Sequence, residues 1–375
     1  MDNSFSLKDQ LFNRSKVSHI AHEIHAVYPA FKRDSFIEQV VARFPDLELK
    51  QRISWIAESL TPFLPGDFVH AMDILLRALP PECDPTRSDD DFGDFIYAPY
   101  SEFVVKNGCN STHLFRSLQA LRTITTRFSA EDAIRYFIND FPEETMDQLS
   151  VWARDPHYHV RRLASEGTRP KLPWSPKIAI DPLRPLPILD CLFADRTRYV
   201  TRSVANHLND LSKTHPDLVI SRLNQWQQSG QQSSKEMAFI IRHALRTLIK
   251  QGYSSAIEFL GVSPTPQITL SEFQVVTTRV KMGDSVHFKC TILSHSTERL
   301  IVDYRILFQS KTGTLSNKKV YKWKQFELQT DTTATIEKRH PLRANMTTRA
   351  LYPGRHVIEL IINGTVMAQQ EFDLF

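Results

Sequence analysis

Apolar residues recur at helical spacing through roughly the first two-thirds of the chain and at every second position thereafter, so the periodicity changes once, from 3.6 to 2. Between Ser15 and about Leu79, one face collects Ile20, Ile24 and Val27, the next Phe36, Val40 and Phe44, the next Ile53, Ile56 and Leu60. Pro29, Pro45, Pro62, Pro65, Pro80 and Pro81 cut this segment into short helices, because proline removes a donor and clashes inside a helix. An acidic, turn-rich stretch, CDPTRSDDDFGDFIYAPY, separates it from helices that resume near Ser101 and continue with Leu114, Leu118, Leu121 and Thr125. Ser129 reads as an N-cap with Glu131 and Asp132 in the first turn behind it. The pattern then predicts helices over Glu143–Ala153, Tyr158–Glu166, Pro187–Ala194, Thr197–Leu211, Pro216–Gln227, Ser234–Lys250 and Ser254–Leu260. Gly167 stands where a C′ residue would close one of them.

After Val262-Ser263-Pro264-Thr265-Pro266 the alternation is that of strands: Val286, Phe288, Cys290 and Ile292, then Val302, Tyr304, Ile306 and Phe308. Asn363-Gly364 between two apolar runs is a hairpin signal. Roughly seven short strands without a helical pattern predict an immunoglobulin-like β-sandwich, although no Cys…Trp…Cys framework is present. The expected organisation is multidomain, α then β: a HEAT-like helical repeat domain over 1–262 and a sandwich over 263–375.

The repeat reading rests on one pattern. Asp155 precedes Val160 and Arg162 at the same spacings at which Asp195 precedes Val200 and Arg202. Arg122, Arg162, Arg202 and Arg242 recur at an interval of 40, near that of HEAT-type helix pairs. Stacked pairs share a core and leave one face open. Each copy is therefore expected to place an arginine at the same height of its second helix, as a row of positive charge.

Charge sharpens this picture. Residues 1–149 hold 15 Lys and Arg against 23 Asp and Glu, residues 150–263 hold 16 against 9, and residues 264–375 hold 15 against 10. A chain acidic in front and basic behind would draw a polyanion to its rear two-thirds. No apolar run is long enough for a membrane span, and the N-terminus lacks an apolar signal core, so a cytoplasmic location is expected. Cys83, Cys109, Cys191 and Cys290 are widely separated, which argues against a zinc site or a disulfide framework.

No nucleophile elbow, P-loop, HExxH or dinucleotide fingerprint occurs. Asp89, Asp90 and Asp91 are consecutive but lack the spacing of a calcium loop, and read as a solvated turn. The remaining chemistry is carboxylates in awkward places. Glu166 and Asp210 sit in the last turns of their helices, facing the negative end of the dipole. The plain alternative for Glu166 is an ion pair with Arg162, four residues earlier. A step of 40 from Glu166 reaches Asn206 and Arg246, with Thr126 in the other direction and Asn209 beside Asp210, a polar column one turn beyond the arginines. Glu131 complements its helix dipole and needs no function to explain it. Trp174, in KLPWSP, is flanked by prolines and is either a plug at a repeat junction or an aromatic platform at the open face.

The segments DPHYHVRRLASEGTRPKLPW, YVTRSVANHLNDLSKTHPDLV and RHALRTLIKQG resemble the DNA alkylation-repair glycosylases of the AlkC/AlkD type, on the AlkC side, with a looser likeness over about residues 5–262. The resemblance implies a HEAT-like superhelix holding duplex DNA. It also implies base excision repair by release of 3-methyladenine, and on the AlkC branch 3-methylcytosine, without base flipping. By resemblance Glu131, Glu166 and Asp210 would be the catalytic acids and Trp174 a lesion-side contact, and the repeat spacing adds Asn206 beside them. A base methylated on a ring nitrogen is cationic and leaves without a general acid, so the enzyme's task is to stabilise an oxocarbenium ion and position water, with no metal or cofactor. The implied partner is double-stranded DNA containing alkylated bases, bound by a monofunctional monomer that is nucleoid-associated while on DNA and has no membrane attachment.

Arg162, Arg202 and Arg242 are expected to be partly structural, whereas Arg161, Arg169, Lys171 and Lys213 flank the site as phosphate contacts, with Arg246 in the polar column. In the sandwich, Lys318, Lys319, Lys322 and Lys324 surround Tyr321 and Trp323, either as a DNA-gripping ribbon or as an edge strand guarded by lysines. Two other functions remain open: a non-catalytic HEAT scaffold or DNA-binding protein, and a non-specific nucleic-acid clamp. The first predicts no base release, the second salt dependence without lesion preference.

Overall fold

The structure, a computed structural model, describes residues 6–87, 89, 92–316, 319–343 and 350–375. Asp90, Asp91 and Lys318 lie outside the described residues. The chain divides into two compact units, one of residues 1–211 and 223–244, the other of residues 212–222 and 245–375. The change from helix to strand falls between Phe259 and Ile268, while the second unit also takes in the helices just before it.

The first unit carries α1 (Leu7–Leu11), α2 (Arg14–Val27), α3 (Arg33–Ala42), α4 (Leu49–Leu60), α5 (Phe68–Arg77), α6 (Ala98–Gly108) and α7 (Leu114–Thr125). It continues with α8 (Glu131–Asp140), α9 (Pro142–Trp152), α10 (Tyr158–Glu166), α11 (Leu186–Leu192), α12 (Arg198–Leu211) and α14 (Ser234–Ala244), and α13 (Pro216–Ser229) crosses between the units. The apolar positions at helical spacing form the core, with Ile20, Ile24, Phe36, Val40, Ile56 and Leu60 all buried. Proline opens α9 and α13 at their first residue, where a missing N–H costs nothing. No helix among the described residues is long and apolar enough to cross a membrane.

The Asp155 and Asp195 copies do the same work. Each aspartate accepts the main-chain N–H two residues on, from His157 and Thr197, both at 2.8 Å, and so shapes the turn that opens α10 or α12. Each also takes an arginine from the preceding repeat: Arg122 on Asp155 at 2.7 Å and Arg161 on Asp195 at 2.5 Å. The periodic arginine row is not one of equivalent residues. Arg162 and Arg202 are the fifth residues of α10 and α12, but Arg122 and Arg242 are the ninth of α7 and α14. Arg202 reaches Asp89, so that aspartate is tied to α12 rather than merely solvated.

Three local expectations change. Ser129 does not cap α8; its N-cap is Ala130, and the serine hydroxyl donates instead to Glu131 Oε2 at 2.8 Å. Gly167 is the C-cap of α10 at φ −63, not a left-handed C′ residue. It is glycine because a Cβ there would lie 2.5 Å from Ile134 Cγ2. The span 234–250 is two helices, α14 and α15 (Arg246–Lys250), interrupted at Leu245 where ψ is near 0.

In the second unit, α15 and α16 (Ser254–Phe259) precede nine strands among the described residues: β1 (Ile268–Val275), β2 (Arg279–Val280), β3 (Ser285–Ser294), β4 (Glu298–Gln309), β5 (Leu315–Ser316), β6 (Val320–Leu328), β7 (Thr333–Pro341), β8 (Gly354–Ile362) and β9 (Thr365–Leu374). They form sheets of order β1-β3-β7 and β2-β9-β8-β4-β5, with β6 paired to β4. The inward rows form two hydrophobic clusters, Val286 and Phe288 of β3 with Tyr304 and Ile306 of β4 in one, and Cys290 and Ile292 of β3 with Val302 of β4 in the other. Asn363 and Gly364 turn β8 into β9 with φ 45 and φ 83, as a two-residue hairpin requires. Gly364 also meets Gly252 backbone to backbone, where a Cβ would come within 2.4 Å of the Gly252 Cα. Asn363 Nδ2 donates to Ser263 O at 2.8 Å, which fastens that turn to the linker.

Candidate active site

Three carboxylates and two guanidiniums form a continuous chain in the first unit. Glu131 is the first residue of α8, where its charge favours the helix dipole. Its Oε2 accepts from Arg162 Nη1 at 2.7 Å, and the same nitrogen donates to Ser129 Oγ at 2.9 Å. Arg162, on α10, lies 4.5 Å from the centre of the Tyr199 ring and places Nη2 3.7 Å from Glu166 Oε1. Arg169 follows from the loop after α10: Nη1 donates to Glu166 Oε1 at 2.6 Å and Nε to Asp210 Oδ2 at 3.0 Å. The Ser203 hydroxyl, from α12, donates to the other oxygen of Glu166 at 2.6 Å. The ion pair between Arg162 and Glu166 that their spacing allowed is thus one part of a larger array of three carboxylates and two guanidiniums.

Burial differs sharply along the chain. The Glu166 side chain is 6 % exposed and that of Asp210 5 %, whereas 28 % of the Glu131 side chain is open. Burial pushes the Glu166 carboxyl up, but Arg162, Arg169 and Ser203 outweigh it and hold the group below the usual carboxylate range. Burial likewise opposes the charge on Arg162, and Glu131 and Glu166 overcome it. Beneath Asp210, buried His207 holds Nδ1 3.1 Å from Ser165 O, and desolvation pushes its imidazole down to about 4.

Glu131 also borders a cavity of about 270 Å³ whose apolar wall includes Leu7, Leu11, Leu49 and Ile53. Trp174 stands at the rim of that cavity, 85 % exposed and at φ 63, so it is a projecting aromatic and not a plug. Asn206 lies on α12 with its Oδ1 accepting from His243 Nε2 at 2.8 Å.

The expected backbone-binding residues part company. Arg161 is enclosed by Asp195 and the carbonyls of Asp155 and Pro156, at 2.8 and 2.9 Å. Arg162 and Arg169 are consumed by the carboxylates, and Arg202 by Asp89. Lys171 and Arg242 are exposed. Lys213 and Arg246 belong to the second unit, as do Lys319 and Lys322. Lys319 lies 5.0 Å from the Tyr321 ring centre, and among the described residues β6 pairs on one side only, through β4. Sequence reasoning missed Ser203, which immediately follows Arg202, and Arg135, which follows Glu131 by one helical turn.

Residues 114–248 match the family model of DNA alkylation repair enzymes, and residues 269–375 that of the C-terminal Ig-like domain of the uncharacterised protein YhaZ. YhaZ of Bacillus subtilis (strain 168) is 31 % identical over 369 residues, 97 % of this chain and 98 % of that one. Similarity is also high to Pseudomonas fluorescens alkylpurine DNA glycosylase AlkC, in a structure bound to DNA containing an abasic-site analog. The TM-score is 0.89 at 35 % identity, over 99 % of this chain and 100 % of that one. The chain belongs to the AlkC-type DNA alkylation repair enzymes. In AlkC-type terms, the alkylation-repair segment holds Glu131, Glu166, Trp174 and Asp210, while the α1 and α4 wall of the cavity precedes it.

Proposed function

We propose that the chain is a monofunctional DNA glycosylase that removes cationic N-alkylated bases, 3-methyladenine foremost and 3-methylcytosine beside it, from duplex DNA. The reading is carried by the three carboxylates of the carboxylate–guanidinium chain, Glu131 the most open, beside an exposed aromatic. The N-glycosidic bond breaks with its electron pair going to the base nitrogen, which cancels the positive charge of the methylated ring. The sugar is left as an oxocarbenium ion at C1′, and water adds there and loses a proton to give the abasic site.

A carboxylate fixed beside the sugar stabilises that cation more than it stabilises the neutral sugar, which is the condition for catalysis. Glu131, the most open of the three acids, is suited to face the sugar or its attacking water. Glu166 and Asp210 hold Arg162 and Arg169 in register and supply the remaining charge. Trp174 adds an aromatic face to the developing cation, worth on the order of 1 kcal/mol. A neutral base lacks the leaving-group advantage, so selectivity follows from the chemistry, without a pocket that extrudes and reads the base. DNA as the partner is supported by the AlkC complex and by the basic charge of residues 150–375. The protein acts as a monomer.

The test is single-turnover release of free bases from methylated DNA without added metal. Glu166→Gln and Glu131→Gln should each lower the rate by about 10²–10³ while retaining DNA affinity. Full release of 3-methyladenine by both variants would refute the assignment. A scaffold or a non-specific clamp would release no base from the wild-type protein.

A further inference from the structure

Trp174 is held where two forces oppose it. Its φ of 63 lies in the left-handed region, which a bulky non-glycine residue adopts at a cost. Its ring is exposed although the apolar wall of Leu7, Leu11, Leu49 and Ile53 lines the cavity at whose rim it stands. Hydrophobic burial alone would draw an indole onto such a wall. A conformation that is both strained and solvated persists only where its surroundings over-determine it.

The surroundings do so through the main chain. Lys50, on α4, bonds the carbonyl of Trp174 and forms an ion pair with Asp132 at 2.7 Å. The other oxygen of Asp132 accepts from the Ser175 hydroxyl. Arg135, 1 % exposed, donates to three carbonyls of the same loop: Gly167 at 2.9 Å, Arg169 at 2.8 Å and Pro176 at 2.5 Å. Asn139 closes the far end, donating to Lys177 O and accepting from Ala179 N, both at 2.9 Å. Asp132, Arg135 and Asn139 occupy one face of α8 at i, i+3 and i+7, on the helix that Glu131 begins. The loop bearing Trp174 is therefore registered against the same rod that carries the most open carboxylate.

We propose that Lys50, Asp132 and Arg135 are positioning residues that hold the Trp174 loop so that the indole projects beside Glu131. The proposal rests on the reading of Trp174 as a sugar-side aromatic, and Lys50 lies outside the segment that matches the alkylation-repair model. Lys50 is the informative position, because its half-exposed side chain can be changed without opening the core.

The full-length protein labelled with 5-fluorotryptophan provides the readout, the Trp174 resonance being assigned by its loss in Trp174→Phe. Lys50→Met should shift or broaden that resonance and lower single-turnover release by about tenfold or more, with affinity for abasic-analog DNA unchanged. Lys50→Arg should restore both, since a guanidinium spans Asp132 and the carbonyl. A Lys50→Met protein with a wild-type resonance overturns the proposal, whatever its rate. If Lys50→Met moves the resonance but Trp174→Ala releases base at the wild-type rate, the clamp stands and the sugar-side reading of Trp174 falls.

Discussion

Glu131 and Glu166 share one counter-ion, Arg162, although they stand on different helices. The arrangement makes the ionisation of Glu166 depend on a residue that also bonds Ser129 and faces Tyr199. Lysine keeps the charge at this position but loses the planar fork that reaches several partners at once. Arg162→Lys should therefore weaken the depression of the Glu166 carboxyl. The group is ionised until pH falls through its folded pKa, so the acid limb of single-turnover release should move to higher pH in the variant. A limb that stays in place would show that Glu166 does not set it.

Ser203 acts on the other oxygen of Glu166. Its hydroxyl donates to Oε2 at 2.6 Å in a buried setting, and hydrogen bonds to a charged group contribute about 1.5–3 kcal/mol. Ser203→Ala leaves that oxygen buried with one donor fewer. The expected outcome is a smaller effect of the same sign as Arg162→Lys, with release lowered by about tenfold near neutral pH and DNA affinity retained. Glu166→Gln combined with Ser203→Ala should be no slower than Glu166→Gln alone, because the serine works through the carboxylate.

How far residues could be read in advance follows from the range of the forces that place them. The aspartate turns at Asp155 and Asp195 and the Asn363-Gly364 hairpin depend on bonds between near neighbours, and the spacing carried them. The arginines illustrate the opposite case. Their interval of 40 was visible, but Arg202 is claimed by Asp89, 113 residues away, and Arg162 by Glu131 from another helix. No local pattern encodes a partner chosen by packing. Glu166 and Asp210 could be singled out because their positions were odd for helices, whereas Glu131, well placed at a helix start, was marked only by the family resemblance; the structure joins all three through Arg162 and Arg169. Lys50 and Arg135 left no such mark, since an exposed lysine on α4 and an arginine on an amphipathic helix are ordinary.

Salt dependence separates structural cations from those that meet phosphate. Arg161 is partly buried against Asp195 and two carbonyls, whereas Lys171 is exposed. Removing one member of a fully buried pair costs about 3–5 kcal/mol, because the other charge is left uncompensated, and removing one of a partly buried pair costs less. Arg161→Ala should therefore lower the melting transition of the helical unit and leave the slope of log affinity against log salt unchanged. Lys171→Ala should do the reverse, with stability intact and the slope reduced by about one. Loss of slope in Arg161→Ala, measured by fluorescence anisotropy on duplex DNA, would place that arginine at the backbone after all.

His207 links the site to acid stability. Its ring is fully buried below Glu166, Arg169 and Asp210, and desolvation pushes its pKa from 6.5 down to about 4. The unfolded chain then binds a proton in a pH range where the folded chain does not. Stability from the neutral imidazole is present in full above pH 6.5 and is lost progressively as pH falls toward 4, by roughly 3 kcal/mol in all. The Glu166 carboxyl has the same sign, but its window lies lower, below the ordinary carboxylate range. His207→Gln removes the titrating group while leaving a side-chain amide that can donate to Ser165 O, now held at 3.1 Å from Nδ1. Chemical denaturation at a series of pH values should show the wild-type unfolding free energy declining between 6.5 and 4, and a flatter profile for the variant. Parallel profiles would mean that the imidazole titrates alike in the folded and unfolded states.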